Sequence, residues 1–410
     1  MRVALLTLGC RVNQAESSVL EGTLKSNGAV IVELADKPDV CIVNTCTVTS
    51  RSDYSSRQLV RRAARAGARV IVTGCYSQLR PDELTAIAGV TEVVDNSRKY
   101  DIVSMLTGQR TVMSFNHSAR SRPHLKVQDG CNFRCSYCSV PHARGPSRSV
   151  PIGDAVERAQ AIESAGYGEI VLTGIHLGTY GHDLELKSNL NILLKRLLAA
   201  TNAVRFRLSS LEIGEINDEL MDIMQSGRIC NHLHIPLQSG SDNILRIMNR
   251  RYTTAHYRKM TRLIFGKVDN LSLGTDVIVG FPGEGEDDFS DTIELIDELP
   301  FSYLHIFPYS RRPGTAAANM GGTPAKETVS ERLALLHDLD ARKRDSYRKR
   351  QLGRRLEVMV EGPREEGMMC GTSSNYLKIL FPAKGHDKGT LVSVGLTEVI
   401  DGMLRGIAIS

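Results

Sequence analysis

Residues 128–141 of the chain read QDGCNFRCSYCSVP and place Cys131, Cys135 and Cys138 in a C-x-x-x-C-x-x-C pattern. A loop with this spacing can wrap three thiolates around one face of a 4Fe-4S cluster and leave the fourth iron open to an added ligand. A zinc site is the alternative, but structural zinc usually takes four protein ligands. The pattern therefore favours an iron-sulfur cluster with one free coordination position.

Alternating apolar runs and helix-like segments surround this loop and predict an α/β domain. The apolar runs occupy residues 125–128, 169–174, 204–210, 232–238, 273–280 and 303–310. Six repeats are too few for a closed eight-stranded barrel, so we expect an open six-stranded (β/α) barrel with the cysteine loop directly after its first strand. Its active site should lie at the carboxyl ends of the strands.

Three more cysteines end three apolar runs near the start of the chain: VALLTLGC (3–10), VCIVNTC (40–46) and VIVTGC (70–75). The helix-like segments between the runs predict a parallel βαβαβ sheet. Cys10, Cys46 and Cys75 then fall at the carboxyl ends of neighbouring strands, which is the edge where open α/β sheets bind ligands. Burial in the core is the alternative for any one of them, but three thiols at one edge predict a second cluster site.

Composition changes divide the chain into domains spanning 1–116, 117–345 and 346–410. Polar, basic sequence at 114–124 predicts a linker after the first domain. The pattern over 325–350 predicts one long helix, and short β-like runs with glycine turns follow it over 351–410. We therefore expect a parallel α/β sheet domain, a central barrel and a small all-β barrel.

Composition also limits the class of protein. Nine cysteines in a chain of 410 residues with no signal-peptide core are more typical of metal-binding or catalytic thiols than of disulfides, so we expect a cytoplasmic protein. No apolar run is long enough to cross a bilayer. Cys41, Cys230 and Cys370 lack partners at ligand spacing and are expected in the core. The net charge of +5 permits a polyanionic partner.

The loop at 131–138 resembles the signature of the radical S-adenosylmethionine (SAM) superfamily, in which an aromatic residue such as Tyr137 often stands between the last two cysteines. The order of the three domains resembles the methylthiotransferase family over essentially the whole chain. The blocks HIPLQSGSDNILRIMNRRYT (234–253), TDVIVGFPGE (275–284) and FPYSRRPGTAA (307–317) add to this resemblance. It implies bound SAM, two 4Fe-4S clusters and a terminal TRAM-like RNA-binding barrel.

Methylthiotransferases divide by substrate. Known groups modify isopentenyladenosine in tRNA, threonylcarbamoyladenosine in tRNA, or an aspartate of a ribosomal protein. The stretches EIVLTGIHLGTYG (169–181) and CSVPHARGPSRS (138–149) most resemble the threonylcarbamoyladenosine (MtaB-type) group. The resemblance implies transfer of a methylthio group to C2 of that nucleoside next to the anticodon, with the chemistry at the clusters and no protein acid or base.

The other two substrates are alternatives within the same chemistry. A non-catalytic RNA-binding or metal-storage protein is an alternative of another class. Two sites of three cysteines each speak against that class.

Polar residues at or just past the predicted strand ends are candidates for SAM contacts, although such residues can also be turn formers. They are Thr173, Gly174, Ser209, Glu212, Gln238 and Asp276. Arg144 and Arg148 are candidates to bind the carboxylate of the threonylcarbamoyl group, because a guanidinium clamps a carboxylate through two hydrogen bonds. Pairing with a local acid is the alternative for either arginine.

Two basic stretches are candidates for phosphate contacts. Arg57, Arg61 and Arg65 recur every fourth residue on a predicted helix, and RKRDSYRKRQLGRR (342–355) precedes the β domain. Either stretch alone could be a solvated helix face, but beside an RNA-type barrel they fit a nucleic-acid partner. The implied partners are the tRNA anticodon stem-loop, an electron donor such as flavodoxin or ferredoxin, and a sulfur donor, with no membrane involved.

Overall fold

A computed structural model describes residues 1–108, 120–365, 367–383 and 385–409. The predicted boundary between residues 116 and 117 lies outside these ranges, as does most of the predicted linker at 114–124. Within the described ranges no helix has both the length and the apolar character needed to cross a membrane.

The N-terminal domain is built on a five-stranded parallel sheet of order β2-β1-β3-β4-β5. Its strands are β1 (Arg2–Thr7), β2 (Val30–Ile31), β3 (Val40–Thr45), β4 (Arg69–Gly74) and β5 (Val90–Val93). Its helices are α1 (Arg11–Ser26), α2 (Ser50–Arg65), α3 (Cys75–Leu79), α4 (Pro81–Thr85) and α5 (Asp101–Thr107). A hydrophobic cluster lies on each face of the sheet, as expected for parallel strands covered by helices on both sides. The three predicted strands are confirmed.

The central domain contains the six predicted parallel strands and a short antiparallel pair. The strands are β6 (His124–Lys126), β7 (Gln128–Asp129), β8 (Arg148–Ser149), β9 (Glu169–Thr173), β10 (Arg205–Leu208), β11 (His232–His234), β12 (Ser272–Val279) and β13 (Tyr303–Pro308). They form sheets of order β10-β9-β6 and β11-β12-β13, with β7 paired to β8. The two larger sheets are joined where Leu211 N donates to His234 O at 3.0 Å.

Helices connect these strands and cover one of their faces. They are α6 (Val140–Arg144), α7 (Ile152–Ser164), α8 (Leu190–Ala200), α9 (Asp218–Met224), α10 (Asp242–Ile247), α11 (Thr254–Lys267), α12 (Glu286–Glu298) and α13 (Lys326–Lys349). The long helix predicted over 325–350 is confirmed by α13. The predicted boundary between residues 345 and 346 falls inside this helix, because α13 continues to Lys349 before the chain turns into the β domain.

Side chains along the central strands alternate between an apolar and a polar face, as the period of two requires. Ile170 and Leu172 of β9 belong to the largest hydrophobic core, which they share with the covering helices. Glu169 of β9, Arg207 of β10 and His234 of β11 are also buried but are polar. The face away from the helices is therefore a polar interior.

The chain ends in a closed five-stranded barrel of order β14-β15-β16-β18-β17. Its strands are β14 (Arg355–Glu365), β15 (Met368–Ser373), β16 (Lys378–Pro382), β17 (Leu391–Ile400) and β18 (Met403–Ile409). The all-β character predicted for this part is confirmed.

Two buried arginines of β10 join this barrel to the central domain. Arg207 donates to Ser373 O at 2.9 Å, and Arg205 donates to Thr372 O at 3.1 Å. Both guanidinium groups also pair with the Glu169 carboxylate at 2.7 Å. Burial alone would raise the pKa of Glu169, but Arg207 and Arg205 hold it well below its usual range. The barrel is thus attached by satisfied, charge-assisted hydrogen bonds.

Candidate cluster-binding sites

The first group of thiols lies in the loop between β7 and α6. Phe133 N donates to the Sγ of Cys131 at 3.4 Å, and Arg250 Nη1 donates to the Sγ of Cys135 at 3.5 Å. Burial, together with the neighbouring Cys135 and Cys131, raises the pKa of Cys138 to about 12. The three cysteines thus lie near one another in one loop. The group fits a three-thiolate 4Fe-4S site.

His176 supports Cys131 from the loop after β9. Its Nδ1 lies 3.4 Å from the Sγ of Cys131, and its Nε2 lies 2.5 Å from Glu215 Oε1. Burial disfavours the charged imidazole, but the hydrogen bonds to Cys131 and Glu215 raise the pKa of His176 to about 10. A Cβ on Gly178 would lie 1.8 Å from Glu215 Oε2, so glycine at 178 leaves room for this carboxylate.

A cavity of about 250 Å³ opens beside Cys135. Its lining includes Phe133, Cys135, Glu212, Arg250, Arg251 and Tyr252. Arg250 pairs with the Glu212 carboxylate, and burial raises the pKa of Glu212. Arg251 is exposed and lies over the Phe133 ring, with its guanidinium carbon 4.2 Å from the ring centroid. The cavity therefore offers both a carboxylate and guanidinium groups next to a cluster ligand.

The remaining predicted SAM contacts fall into two places. At the ends of β9 and β10, Gly174 N donates to Ser209 Oγ at 3.4 Å, and Thr173 is buried beside them. On the other side, Gln238 N donates to Asp276 O at 2.8 Å, and Gln238 has a positive φ of 66°.

The side chains of Asp276 and Tyr137 are engaged with protein partners. Asp276 Oδ1 lies 3.3 Å from both His234 Nε2 and His305 Nδ1, and these two histidines keep the pKa of Asp276 below its usual range although burial raises it. Tyr137 packs edge-on against Phe281, with 6.4 Å between the ring centroids. Its ring therefore supports the cysteine loop from the side of the core.

The second group of thiols lies at the carboxyl edge of the N-terminal sheet. Cys46 follows β3, Cys75 follows β4, and Cys10 is the N-cap residue of α1. Burial raises the pKa of Cys75 to about 11, Arg144 lowers it, and the nearby Cys10 and Cys46 raise it. The three cysteines lie at the same edge of the sheet and fit a second three-thiolate site.

Asn13 of α1 organises this second group. Its Nδ2 donates to Leu8 O at 2.8 Å and to Thr45 O at 2.9 Å, which fixes the backbone just before Cys10 and just before Cys46. Its Oδ1 lies 3.9 Å from the Sγ of Cys10 and 4.0 Å from the Sγ of Cys75. One buried amide thus sets the spacing of all three cysteines.

Arg144, at the end of α6 in the central domain, reaches the same point. Its Nε donates to the Sγ of Cys75 at 3.2 Å and its Nη2 to Asn13 Oδ1 at 2.5 Å. Nη1 donates to Glu16 Oε1 at 2.9 Å and to Asp129 Oδ1 at 2.8 Å, and Nη2 also reaches Glu16 Oε2 at 3.2 Å. A guanidinium has five N–H donors, and all five have partners here.

In this structure the Arg144 guanidinium is buried and all of its donors are held by protein partners, which is the alternative of pairing with a local acid. The Arg148 side chain is 54% exposed, lies 3.9 Å from Asp129 Oδ2 and donates to the Arg144 carbonyl oxygen at 3.1 Å.

The arginines of the basic helix α2 also differ in their surroundings, since one is held by protein partners and two are exposed. Arg57 donates to the hydroxyl of Tyr76 at 2.5 Å and to Glu83 at 3.4 Å, whereas Arg61 and Arg65 are exposed. In the second stretch, 342–349 forms the end of α13 and 355 begins β14. Cys41, Cys230 and Cys370 are buried, as expected for core thiols.

Sequence reasoning did not identify Asn13, Glu16, His176 or Arg250. A signal for the first two exists, since α1 buries Asn13, Glu16 and Ser17 in the same stripe as Leu20 and Leu24. Polar residues at apolar positions of an amphipathic helix mark a buried polar contact. His176 and Arg250 are single polar residues in loops, and their partners come from distant parts of the chain.

Comparison with known families agrees with this arrangement. A profile of the radical SAM superfamily matches residues 125–296, and a profile of an uncharacterized protein family, UPF0004, matches residues 2–95. The first contains Cys131, Cys135 and Cys138, and the second contains Cys10, Cys46 and Cys75.

Characterised relatives match most of the chain. The threonylcarbamoyladenosine tRNA methylthiotransferase MtaB of Aquifex aeolicus (strain VF5) is 38% identical, covering 88% of this chain and 93% of the relative. The protein of that name from Bacillus subtilis (strain 168) is 37% identical, covering 96% of this chain and 93% of the relative. The tRNA-2-methylthio-N(6)-dimethylallyladenosine synthase of Thermodesulfovibrio yellowstonii (strain ATCC 51303 / DSM 11347 / YP87) is 29% identical. That match covers 100% of this chain and 99% of the relative.

Among solved structures, the radical S-adenosylmethionine methyltransferase TsrM from Kitasatospora setae is similar, with a TM-score of 0.59 at 14% identity. The superposed region covers 77% of this chain and 76% of TsrM. At this identity the likeness concerns the fold alone.

The glycine before Cys75 gives a steric test of the second site. Gly74 has a φ of +105°, and a Cβ there would lie 2.4 Å from Thr45 O, whereas Gly67 has a φ of +79° and nothing within 4 Å. We expect Gly74→Ala to lower the free energy of unfolding by about 3 kcal/mol, from backbone strain plus overpacking. The control Gly67→Ala should lose only about 1 kcal/mol from strain. Urea unfolding followed by circular dichroism measures both, and equal losses would contradict the close packing at Gly74.

Proposed function

This chain belongs to the MtaB-type radical SAM methylthiotransferases, and we propose that it transfers a methylthio group to C2 of N6-threonylcarbamoyladenosine next to the anticodon of tRNA. Membership of this family makes it a radical SAM enzyme of tRNA methylthiolation, with SAM and 4Fe-4S chemistry. The nucleoside and the use of two clusters are the finer parts of the proposal.

The observation that carries the proposal is the presence of two separate groups of three converging thiols. One group is at the N-terminal sheet edge and the other is in the central loop, and three thiolates would leave one position of a bound 4Fe-4S cluster open at each. A single cluster would suffice for SAM cleavage alone. A second site with an open position is what a reaction that also delivers sulfur needs.

When bound, the clusters and SAM supply the radical that removes the C2 hydrogen and the sulfur and methyl group that replace it. The protein positions these groups and excludes water. We assign the carboxylate and amino groups of SAM to the cavity beside Cys135, because Arg251 and Glu212 offer complementary charges there. Thr173, Gly174 and Ser209 lie at strand ends on the β9–β10 side, and Gln238 and Asp276 on the β11–β12 side, where the rest of SAM would extend across the open six-stranded barrel.

The nucleoside assignment is supported by relatives and by one exposed guanidinium, that of Arg148, which lies 3.9 Å from Asp129 at the surface. The MtaB relatives are 32–38% identical over most of the chain, against 29% for the dimethylallyladenosine enzyme. Arg148 is exposed and lies four residues after Arg144, which contacts the second cysteine group. A carboxylate on the substrate needs such a cation, because an unpaired carboxylate is costly to desolvate.

Iron content tests the two clusters. Anaerobically reconstituted protein should hold about eight irons per chain if each site carries a 4Fe-4S cluster. Changing Cys131, Cys135 and Cys138 to Ala should halve the iron and abolish SAM cleavage. Changing Cys10, Cys46 and Cys75 to Ala should also halve it but leave slow SAM cleavage without methylthiolation.

The three core cysteines provide the matched control. Changing Cys41, Cys230 and Cys370 to Ala should keep the full iron content, because these thiols are buried apart from both groups. Full iron in the Cys10, Cys46 and Cys75 variant would overturn the second cluster.

Salt dependence of binding tests the tRNA contact. Replacing the exposed Arg61 and Arg65 by Glu should weaken binding of the anticodon stem-loop and reduce the slope of log K against log salt by about 1.5, since each lost phosphate contact lowers it by roughly 0.7–0.9. The control replaces Arg196 of α8 and Arg262 of α11 by Glu, which changes the net charge equally. An identical slope change in both double variants would show that Arg61 and Arg65 make no specific phosphate contact and belong to an ordinary solvated helix face.

Substrate choice is tested with tRNA carrying either modification. The enzyme should methylthiolate the threonylcarbamoyl form and not the isopentenyl form, because Arg148 would face an apolar group in the second case. Arg148→Leu should reduce kcat/KM on the threonylcarbamoyl form at least about tenfold, the range of a lost charged hydrogen bond. Preference for isopentenyladenosine, or turnover only of a ribosomal protein, would refute the substrate assignment.

A further inference from the structure

Arg144 belongs to the loop of one cysteine group and contacts the other. It follows Cys138 by six residues and ends the short helix α6, yet its Nε donates to the Sγ of Cys75 in the N-terminal domain at 3.2 Å. The side chain is 1% exposed. A single buried residue of the central domain therefore completes the surroundings of the N-terminal cysteines.

The charges around Arg144 do not balance without a further anion. Glu16 and Asp129 are the carboxylates of this buried network, and its cations are Arg144, Lys99 and Lys126. Three cations against two carboxylates leave one positive charge in excess. Buried charges require compensation, and this excess positive charge lies against the N-terminal cysteines, because Arg144 Nε donates to the Sγ of Cys75 at 3.2 Å.

The orientation of the network fits an anion at the cysteines. Arg144 directs its Nε to Cys75, and Nη2 holds Asn13, whose amide fixes the backbone before Cys10 and Cys46. Lys99 and Lys126 both pair with Glu16. The carboxylates thus hold Arg144 in place, and its remaining donor faces sulfur.

We propose that Arg144 is a positioning residue that stabilises the cluster bound by Cys10, Cys46 and Cys75 and raises its reduction potential through the hydrogen bond to Cys75. This inference rests on the second cluster of the proposed function. The site at the N-terminal sheet is then complete only when the central domain is docked against it. Because α6 also follows Cys138 directly, the same short segment fixes the separation of the two clusters.

The proposal is tested in protein whose Cys131, Cys135 and Cys138 are changed to Ala, so that only the second cluster binds. Arg144→Gln removes the cation, and Arg144→Lys keeps the charge without the Nε donor. Both variants should show altered electron paramagnetic resonance (EPR) of the reduced cluster and a lower midpoint potential, because hydrogen bonds to cluster sulfur raise it. Arg144→Gln should lose iron to a chelator about 10- to 100-fold faster, the usual effect of losing a partner of a metal ligand.

Arg134→Gln is the matched control, since Arg134 is an exposed arginine of the loop that precedes α6 and is not part of the network around Arg144. Its EPR signal, midpoint potential and rate of iron loss should equal those of the parent. Thermal unfolding of the iron-free proteins separates the two possible roles of Arg144. If Arg144 had only a structural role, Arg144→Lys would match the parent in every measurement. The proposal requires that Arg144→Lys fold like the parent but still show an altered EPR signal.

A further measurement keeps Arg144 unchanged, so that the proposal can be tested even if the Arg144 variants do not fold. In the same background, labelling all arginines with ¹⁵N should give a nitrogen coupling to the reduced cluster in pulsed EPR, consistent with one N–H···S contact. Absence of this coupling, or unchanged spectra in Arg144→Lys and Arg144→Gln, would overturn the inference. A background protein that binds no cluster would instead refute the second cluster of the proposed function.

Discussion

The contact between Arg144 and the start of helix α1 is the interaction on which the arrangement of both sites depends. The two cysteine groups belong to different domains, and nothing in either sheet alone fixes their separation. Arg144 reaches from the loop of Cys138 to Asn13 and Cys75, with its other donors held by Glu16 and Asp129. A guanidinium with every donor satisfied is rigid, so the docking of the two domains and the geometry of the N-terminal thiols are set together.

Buried arginines on the polar face of the central strands also dock the C-terminal barrel. Arg205 and Arg207 cross from β10 to carbonyl oxygens of that barrel and share Glu169. Tyr376 of the barrel stacks on His232 and accepts from Arg11, the residue after Cys10, at 3.1 Å. Contacts of this kind bring all three domains to one place. The polar side of the strands is thereby covered in part by polar groups of the barrel and of the N-terminal domain.

The sequence predicts the strands well because the apolar runs are long and each thiol group has a regular position relative to them. Cys46 and Cys75 directly follow β3 and β4, and the six central strands match the six predicted runs. The supporting residues could not be predicted, because Arg144 and Glu16 lie 128 positions apart and Arg250 and Cys135 lie 115 apart. Such pairs follow from how the domains dock, which no local pattern encodes.

Arg144 and Arg148 show why residue type alone cannot assign a role in such a loop. Both follow Cys138 within ten residues and both could bind a carboxylate, yet one is buried and the other is 54% exposed. Burying a guanidinium is tolerated only when partners replace its hydration, so a buried arginine must be committed to the protein. An arginine left in solvent has lost nothing and keeps its full capacity to bind a ligand. The chain turns at Gly145, directly after α6, so that Arg144 is held inside the protein against Cys75 and Arg148 lies at the surface.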